Sequence, residues 1–496
     1  MRRPHLSIKR PLVLAAALAV SACASVGPNF RAPEAAGVQS YAMAGDAVPA
    51  GVRLTPDSRA AGPWWKAFGS PQLDQVMTLA LSDNQNLAAA DANLEKARDE
   101  AAAARGALAP QVDATAGAQR ERINTEAFGI TGFPSPTINL YSIGATVSYD
   151  LDLFGGAKRR VESAQAAAQA QARRADAAYL TLTGDVAAQA VRIAGIRAEL
   201  AALSAVLADD QRSIGIVREA ERLGGAAPSA AVGGEAQLAQ DRTLAPPLEQ
   251  QLAQARHALA LLVGKAPGEW SAPEFSLDAF SSPPDTPIAL PSALVRRRPD
   301  ILAAEADLHV ATADIGVATA NLYPDVRLQA GLTQEALSPL QIFSYNSTAW
   351  NLGAGLTVPI FHGGTLRARQ RAAQAQARAS LALYRQTVLA AFVQVSDVLT
   401  ALAHDDARLG ALDRAQKVAQ SALDDARAAW RLGGGAFLPV VDAERQLERA
   451  RLARKEAAAQ RLIDLVTLFS ATAADWRTAD APRHAPGDAD ETAPGR

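Results

Sequence analysis

The chain has 496 residues, of which only 5% are aromatic, and its 49 basic and 51 acidic side chains give a formal charge of -2. That balance excludes the basic surface that nucleic acid demands, so no nucleic-acid partner is expected. So few rings in so long a chain, with alanine throughout, favour long, closely packed helices over large globular cores.

The chain opens on Arg2, Arg3, Lys9 and Arg10, followed by an apolar stretch from Pro11 to Val20 that is too short to span a bilayer. Residues 1–22 therefore read as an export signal. Directly after it, Val20-Ser21-Ala22-Cys23 resembles a bacterial lipobox, which makes Cys23 the expected lipidation site and first mature residue. Ordinary signal cleavage, with Cys23 an incidental thiol, is the plainer alternative. Ala24 stands where an aspartate would favour retention at the inner membrane. Cys23 is the only cysteine, so no intramolecular disulfide can form. No later window holds 18 uninterrupted apolar residues, so no transmembrane helix is expected, and any membrane-spanning part must be β-barrel.

A helix is expected over 82–108, ending before Pro110. Strands follow at about 110–122, where Val112, Ala114, Ala116 and Ala118 alternate, and at about 141–150, from Tyr141 to Tyr149. The Gly-, Pro-, Thr- and Asn-rich stretch between them reads as a surface loop. A helix of about 66 residues then runs from Lys158 to Leu223, roughly 100 Å at 1.5 Å per residue. Gly224 and Gly225 open a tip turn at 223–229, since glycine permits the left-handed backbone of a sharp reversal. A return helix follows, interrupted by Pro246-Pro247.

The whole pattern then recurs. Leu87 to Leu94 matches Ile301 to Leu308, Pro110, Val112 and Gly117 match Pro324, Val326 and Gly331, and Arg222-Leu223-Gly224-Gly225 matches Arg431-Leu432-Gly433-Gly434. The second copy gives a helix over 300–322, strands at about 325–333 and 351–360, a helix of about 68 residues from Thr365 to Leu432, and a tip at 432–436 with Gly433 and Gly434. The expected division is thus 23–81, a first repeat 82–285, a second repeat 286–477 and a disordered tail 478–496. Four strands per chain cannot close a membrane barrel, because the smallest use about eight, so closure requires several chains.

Several stretches together resemble the TolC-like outer-membrane factors, in the lipoprotein branch that serves resistance-nodulation-division efflux systems. They are the lipobox, Gly62-Pro63-Trp64-Trp65-Lys66-Ala67-Phe68, Leu81-Ser82-Asp83-Asn84-Gln85-Asn86-Leu87, Ala245-Pro246-Pro247-Leu248-Glu249-Gln250-Gln251 and Arg297-Arg298-Pro299-Asp300-Ile301. Each alone is a weak motif, and in this order they are specific. The resemblance implies a mainly α fold with a membrane β-barrel portion. A homotrimer would close a 12-stranded barrel, continued by an α-helical barrel in the periplasm. It further implies a lipid-anchored exit channel in the Gram-negative outer membrane, meeting a periplasmic adaptor protein and an inner-membrane pump that supplies the energy. Residues 23–81 would be an anchor and equatorial segment. In this family the second tip constricts the periplasmic entrance, and the matching positions are Leu438, Asp442 and Arg445. Asp442 and Arg445 sit three apart on one helix face, the spacing of an ordinary surface ion pair as well as of a charged ring. Pro439 stands where related tips often carry another acid.

No catalytic, cofactor or metal site is expected. The six histidines are scattered, and His404 beside Asp405 and Asp406 reads as a solvated helix face. The paired glycines lack the Lys-Ser or Lys-Thr of a phosphate loop. The alternatives are a duct for type I protein secretion and a lipid-anchored periplasmic adaptor. Four alternating strands bounded by polar loops argue against the adaptor.

Overall fold

The computed structural model describes residues 25–34, 40, 41, 43, 63–129, 132, 134–281, 294–433 and 437–473. The export signal, Cys23, Gly434 and the C-terminal tail lie outside them. A 3-10 turn, Trp64–Phe68, leads into α1 (Pro71–Asp83) and α2 (Gln85–Gly106). Then come β1 (Gln111–Arg122), β2 (Thr137–Asp150), α3 (Gly156–Arg222), α4 (Pro228–Arg242) and α5 (Ala245–Leu262). The second half gives α6 (Pro299–Ala320), β3 (Asp325–Ala336), β4 (Thr348–Thr357), α7 (Thr365–Arg431) and α8 (Leu438–Ala471).

Several bounds differ from those read off the sequence, each for a local reason. The helix expected from Ser82 is two helices, because Asn84 is extended and its side chain caps α2: Oδ1 accepts from the Leu87 N–H at 3.0 Å. Strand β2 begins at Thr137, four residues before the expected start, since Thr137-Ile138-Asn139-Leu140 pairs with Arg122 to Gln119 despite its loop-like composition. Strand β4 starts at Thr348 and stops at Thr357, three residues earlier than expected at each end, with Pro359 following. Thr243 and Leu244 part α4 from α5, and Pro246 and Pro247 fall in the first turn of α5, where a missing N–H costs nothing. One window inside α7 is apolar enough by length and composition to cross a membrane, although it is not an uninterrupted apolar run. That helix buries Tyr384, Val388, Ala391 and Val395 while Leu383, Leu389 and Val393 stay exposed.

Two compact units emerge, and both draw on each sequence repeat. One comprises 1–33, 93–171 and 303–384; the other comprises 34–92, 172–302 and 385–496. The first holds a single antiparallel sheet in the order β1-β2-β3-β4. The second is helical. Its packing relies on small side chains: a Cβ placed on Gly195 would lie 2.6 Å from that of Ala459, and Ala187, Ala190, Ala194 and Ala457 are buried. Its aromatic centre is Trp64, stacked on Phe469 with ring centroids 5.5 Å apart, with Phe68 meeting the same ring edge-on at 5.9 Å.

Candidate functional site

The sheet sorts its side chains by chemistry. Its register aligns Val112 with Val147, Val147 with Ala330 and Ala330 with Leu352, and the neighbouring row runs Ala114, Ala145, Leu332 and Trp350. Successive side chains alternate faces, so these rows make one apolar face. On the other face Asp113, Thr146, Gly331 and Asn351 form a row beside Gln111, Ser148, Gln329 and Gly353. Apart from Glu121 every residue of β1 is exposed, and apart from Thr348 every residue of β4 is. Among the described residues neither β1 nor β4 pairs with a further strand at its outer edge. Tyr141 and Tyr149 bracket the apolar face eight residues apart, about 26 Å along the strand, close to the apolar height of an outer-membrane barrel.

At the helical tips, α3 ends with Gly224 at φ +75, and the Gly225 N–H reaches back to the Ala220 carbonyl at 2.8 Å. Helix α7 also ends on a left-handed glycine, with Gly433 at φ +73 and its N–H on the Trp430 carbonyl at 3.0 Å, as the Gly224 N–H is on the Glu221 carbonyl at 2.9 Å. Beyond it, Phe437 is buried in an apolar cluster with Val217, Ala231, Leu423, Val440 and Leu447, and Trp430 lies edge-on to it at 5.5 Å. This cluster ties α3, α4, α7 and α8 together just behind the turns.

The three expected gate positions lie on the first turns of α8. Leu438 is its first residue and is 65% exposed. Asp442 and Arg445 pair at 3.5 Å, and both are partly exposed. Arg445 also donates to the Gln237 carboxamide on α4, a contact that no spacing in the sequence announces. Gln237 in turn donates to both oxygens of Asp241, at 2.8 and 2.7 Å. The first hairpin, which carries no gate position by resemblance, is thus joined to Arg445.

Behind this chain lie four acids that the sequence reading did not single out. Asp210 on α3, Asp241 on α4, and Glu444 and Glu448 on α8 are each at most 9% exposed. Glu444 accepts from Ser213 at 2.9 Å and from Arg427 at 2.7 Å. Asp210 Oδ2 is buried with no donor on it. Burial, then the negative charges of Asp241 and Glu444, push the Asp210 carboxyl well above the usual carboxylate range. Burial and the charges of Asp210, Asp241 and Glu444 raise Glu448 to about 8, against the opposing pull of Arg445. The only foreshadowing was acids recurring on otherwise alanine- and leucine-rich helix faces, and burial is not readable from that pattern.

A second feature escaped the sequence reading. Arg159, 4% exposed, donates to the Val26 carbonyl at 3.1 Å, the Asn29 side chain at 2.7 Å and Glu162 at 2.6 Å. Glu162 meets His309 at 3.0 Å, and Phe30 stacks on the His309 ring at 4.3 Å. A Cβ on Gly316 would strike Arg159 Cγ at 2.7 Å, and one on Gly27 would strike Gly316 Cα at 2.6 Å. The segment after Cys23 is therefore strapped down by a fitted socket. His404 is exposed, whereas the neighbouring Asp405 is buried with its carboxyl raised to about 6 by burial and by Asp464.

A family model described as outer membrane efflux protein matches residues 76–265 and 290–474, most of the chain. The chain belongs to the outer membrane efflux protein family. It is 30% identical over 479 residues to the pyoverdine export outer membrane protein OpmQ of Pseudomonas aeruginosa, covering 95% of this chain and 98% of that protein. It is 26% identical to the cation efflux system protein CusC of Escherichia coli, over 93% of this chain and 97% of that one. Among solved structures it resembles the outer-membrane channel OprN with a TM-score of 0.82 at 30% identity, covering 91% of this chain and 99% of that one. The fold is that of the TolC-like channels, and the protein is an efflux channel of the outer membrane.

Proposed function

We propose that three copies of this chain close a 12-stranded barrel, through which small molecules leave a tripartite pump passively, with no chemical step in the channel. The observation that carries this reading is the sheet. It presents one apolar and one polar face, with both edges unpaired among the described residues. Unpaired backbone groups are intolerable in hydrocarbon, and joining β1 of one copy to β4 of the next removes both edges. The apolar rows then face lipid and the row of Asp113, Thr146, Gly331 and Asn351 lines the water-filled lumen.

Cys23 carries the lipid anchor in this reading, and the socket of Arg159, Glu162 and His309 fixes the chain a few residues beyond it. The tips meet a periplasmic adaptor, and the inner-membrane pump selects the cargo and supplies the energy. OpmQ is named for pyoverdine export and CusC for cation efflux, so relatives of similar length carry very different cargo. Selection of cargo by the pump accounts for that spread.

Leu438, Asp442 and Arg445 form the resting constriction. Three exposed Leu438 side chains near the axis narrow the pore, and the carboxylates of Asp442 favour cations at its mouth. Replacing Leu438, Asp442 and Arg445 together with alanine is expected to raise single-channel conductance in planar bilayers several-fold. Unchanged conductance would remove them from the gate.

A further inference from the structure

The buried acids behind the tip require an account of their charge. Four carboxyl groups, each at most 9% exposed, come together from α3, α4 and α8, close enough for Asp241 and Glu444 to act on both Asp210 and Glu448. Among the described residues the charged groups around them are mostly committed elsewhere; on α4, Glu235 is paired with Arg218 of α3. On α3, Asp209 adds negative charge beside Asp210 and is paired with Arg212 at 2.7 Å. On α7, Arg427 is committed to Glu444 at 2.7 Å. On α8, Arg445 is shared between Asp442 and Gln237, and its Nε is buried with no acceptor. One full guanidinium and part of another therefore face four acids. Among the described residues no group of acids or histidines is arranged to hold a metal ion. Like charges in a dry site cannot all ionise, and protons are the remaining neutralising species.

The same acids are wired to the tip. Asp442, Arg445, Gln237 and Asp241 form an unbroken chain of contacts that crosses from α8 to α4. The geometry points to a proton-loaded latch: Asp210 and Glu448, packed with Asp241, hold α4 against α8 while they keep their protons, and losing those protons loosens the helix turns that carry Arg445. Only the link to conductance rests on the gate reading above; the latch itself does not.

The sign follows from burial. A carboxyl that is buried in the latched tip and hydrated in a loosened one binds its proton more tightly when latched. Latching is thus favoured fully below the ordinary carboxylate value of about 4, weakens as pH rises, and loses its proton-linked advantage by about pH 8, the value to which Glu448 is raised. The latch should therefore hold at mildly acid pH and slacken at mildly alkaline pH.

The test is hydrogen exchange of the detergent-purified full-length protein, corrected for intrinsic rates, at about pH 6 and about pH 8.5. Protection of residues 228–242 and 438–448 is expected to fall by about ten-fold or more over that range, while the buried 187–196 stretch keeps its protection. The double variant Asp210→Asn, Glu448→Gln mimics the protonated pair and should fold as the parent does, with its protection independent of pH. Flat protection in the parent, or the parental slope retained in the double variant, would overturn the latch. Conductance is recorded on the same samples. If protection falls at high pH while conductance does not rise, the latch stands and the gate assignment fails.

Discussion

Arg159 shows how much a single side chain can organise. Its guanidinium satisfies a backbone carbonyl of the N-terminal strap, an asparagine side chain and Glu162 at once, from a nearly fully buried position. Replacing it with alanine takes the donor from the Val26 carbonyl and the Asn29 side chain, leaves Glu162 to His309 alone, and opens a cavity beneath Gly316, at a cost of about 2 kcal/mol. The expected outcome for Arg159→Ala is faster proteolytic removal of residues 25–34 with the sheet intact, read by limited proteolysis and mass spectrometry. Acid should act on the same strap. Burial pushes Glu162 upward, but hydrogen bonds from His309 and Arg159 outweigh it and hold this carboxyl below its ordinary value. The stability it contributes is present above the ordinary carboxylate range of about 4 and is lost as pH falls through the lowered value. Arg298 plays a comparable part in the other unit. It is clasped by Asp300 at 2.7 and 3.0 Å and donates to the Ala471 carbonyl at the end of α8 at 2.8 Å. The Arg297-Arg298-Pro299-Asp300-Ile301 motif is thus a device for joining two helix ends.

At the scale of elements, the helix turns at the tips rest on backbone freedom alone. Gly224 and Gly433 adopt left-handed backbone, which any residue with a Cβ reaches only at a cost of about 1 kcal/mol. Neither has a neighbour within 4 Å of a built Cβ, so the cost is conformational and not steric. Gly433→Ala is expected to lower the thermal midpoint by about one degree while leaving the helical circular dichroism at room temperature unchanged; a midpoint equal to the parent's would show that the turn is not strained. Much at this scale was legible in the sequence. The alternation from Val112 to Ala118 and from Tyr141 to Tyr149, the left-handed Gly224 and Gly433 and the long alanine-rich helices all rest on local rules of period and backbone freedom. The early start of β2 at Thr137 was not legible, because Thr137 to Leu140 extends only through pairing with β1, a distant partner. Asn84 was read as the interior of a helix because its capping role depends on an extended backbone, and its amide also donates to the Leu262 carbonyl at 2.8 Å, far along the chain. The acids of the latch were invisible for a related reason. Asp210, Asp241 and Glu448 come from three helices that only the fold brings together, whereas Asp442 and Arg445, three apart on one helix, could be paired by counting.

At the scale of the whole molecule, the sheet is the decisive element. Four strands with an apolar face, a polar face and two edges unpaired among the described residues are a fraction of a membrane barrel, and the family to which the chain belongs builds outer-membrane channels. The measurement that tests this most directly is the native mass of the detergent-purified mature protein together with its single-channel conductance in a planar bilayer. A trimer giving discrete conductance steps is the expected result. A monomer that inserts without conducting would contradict the account.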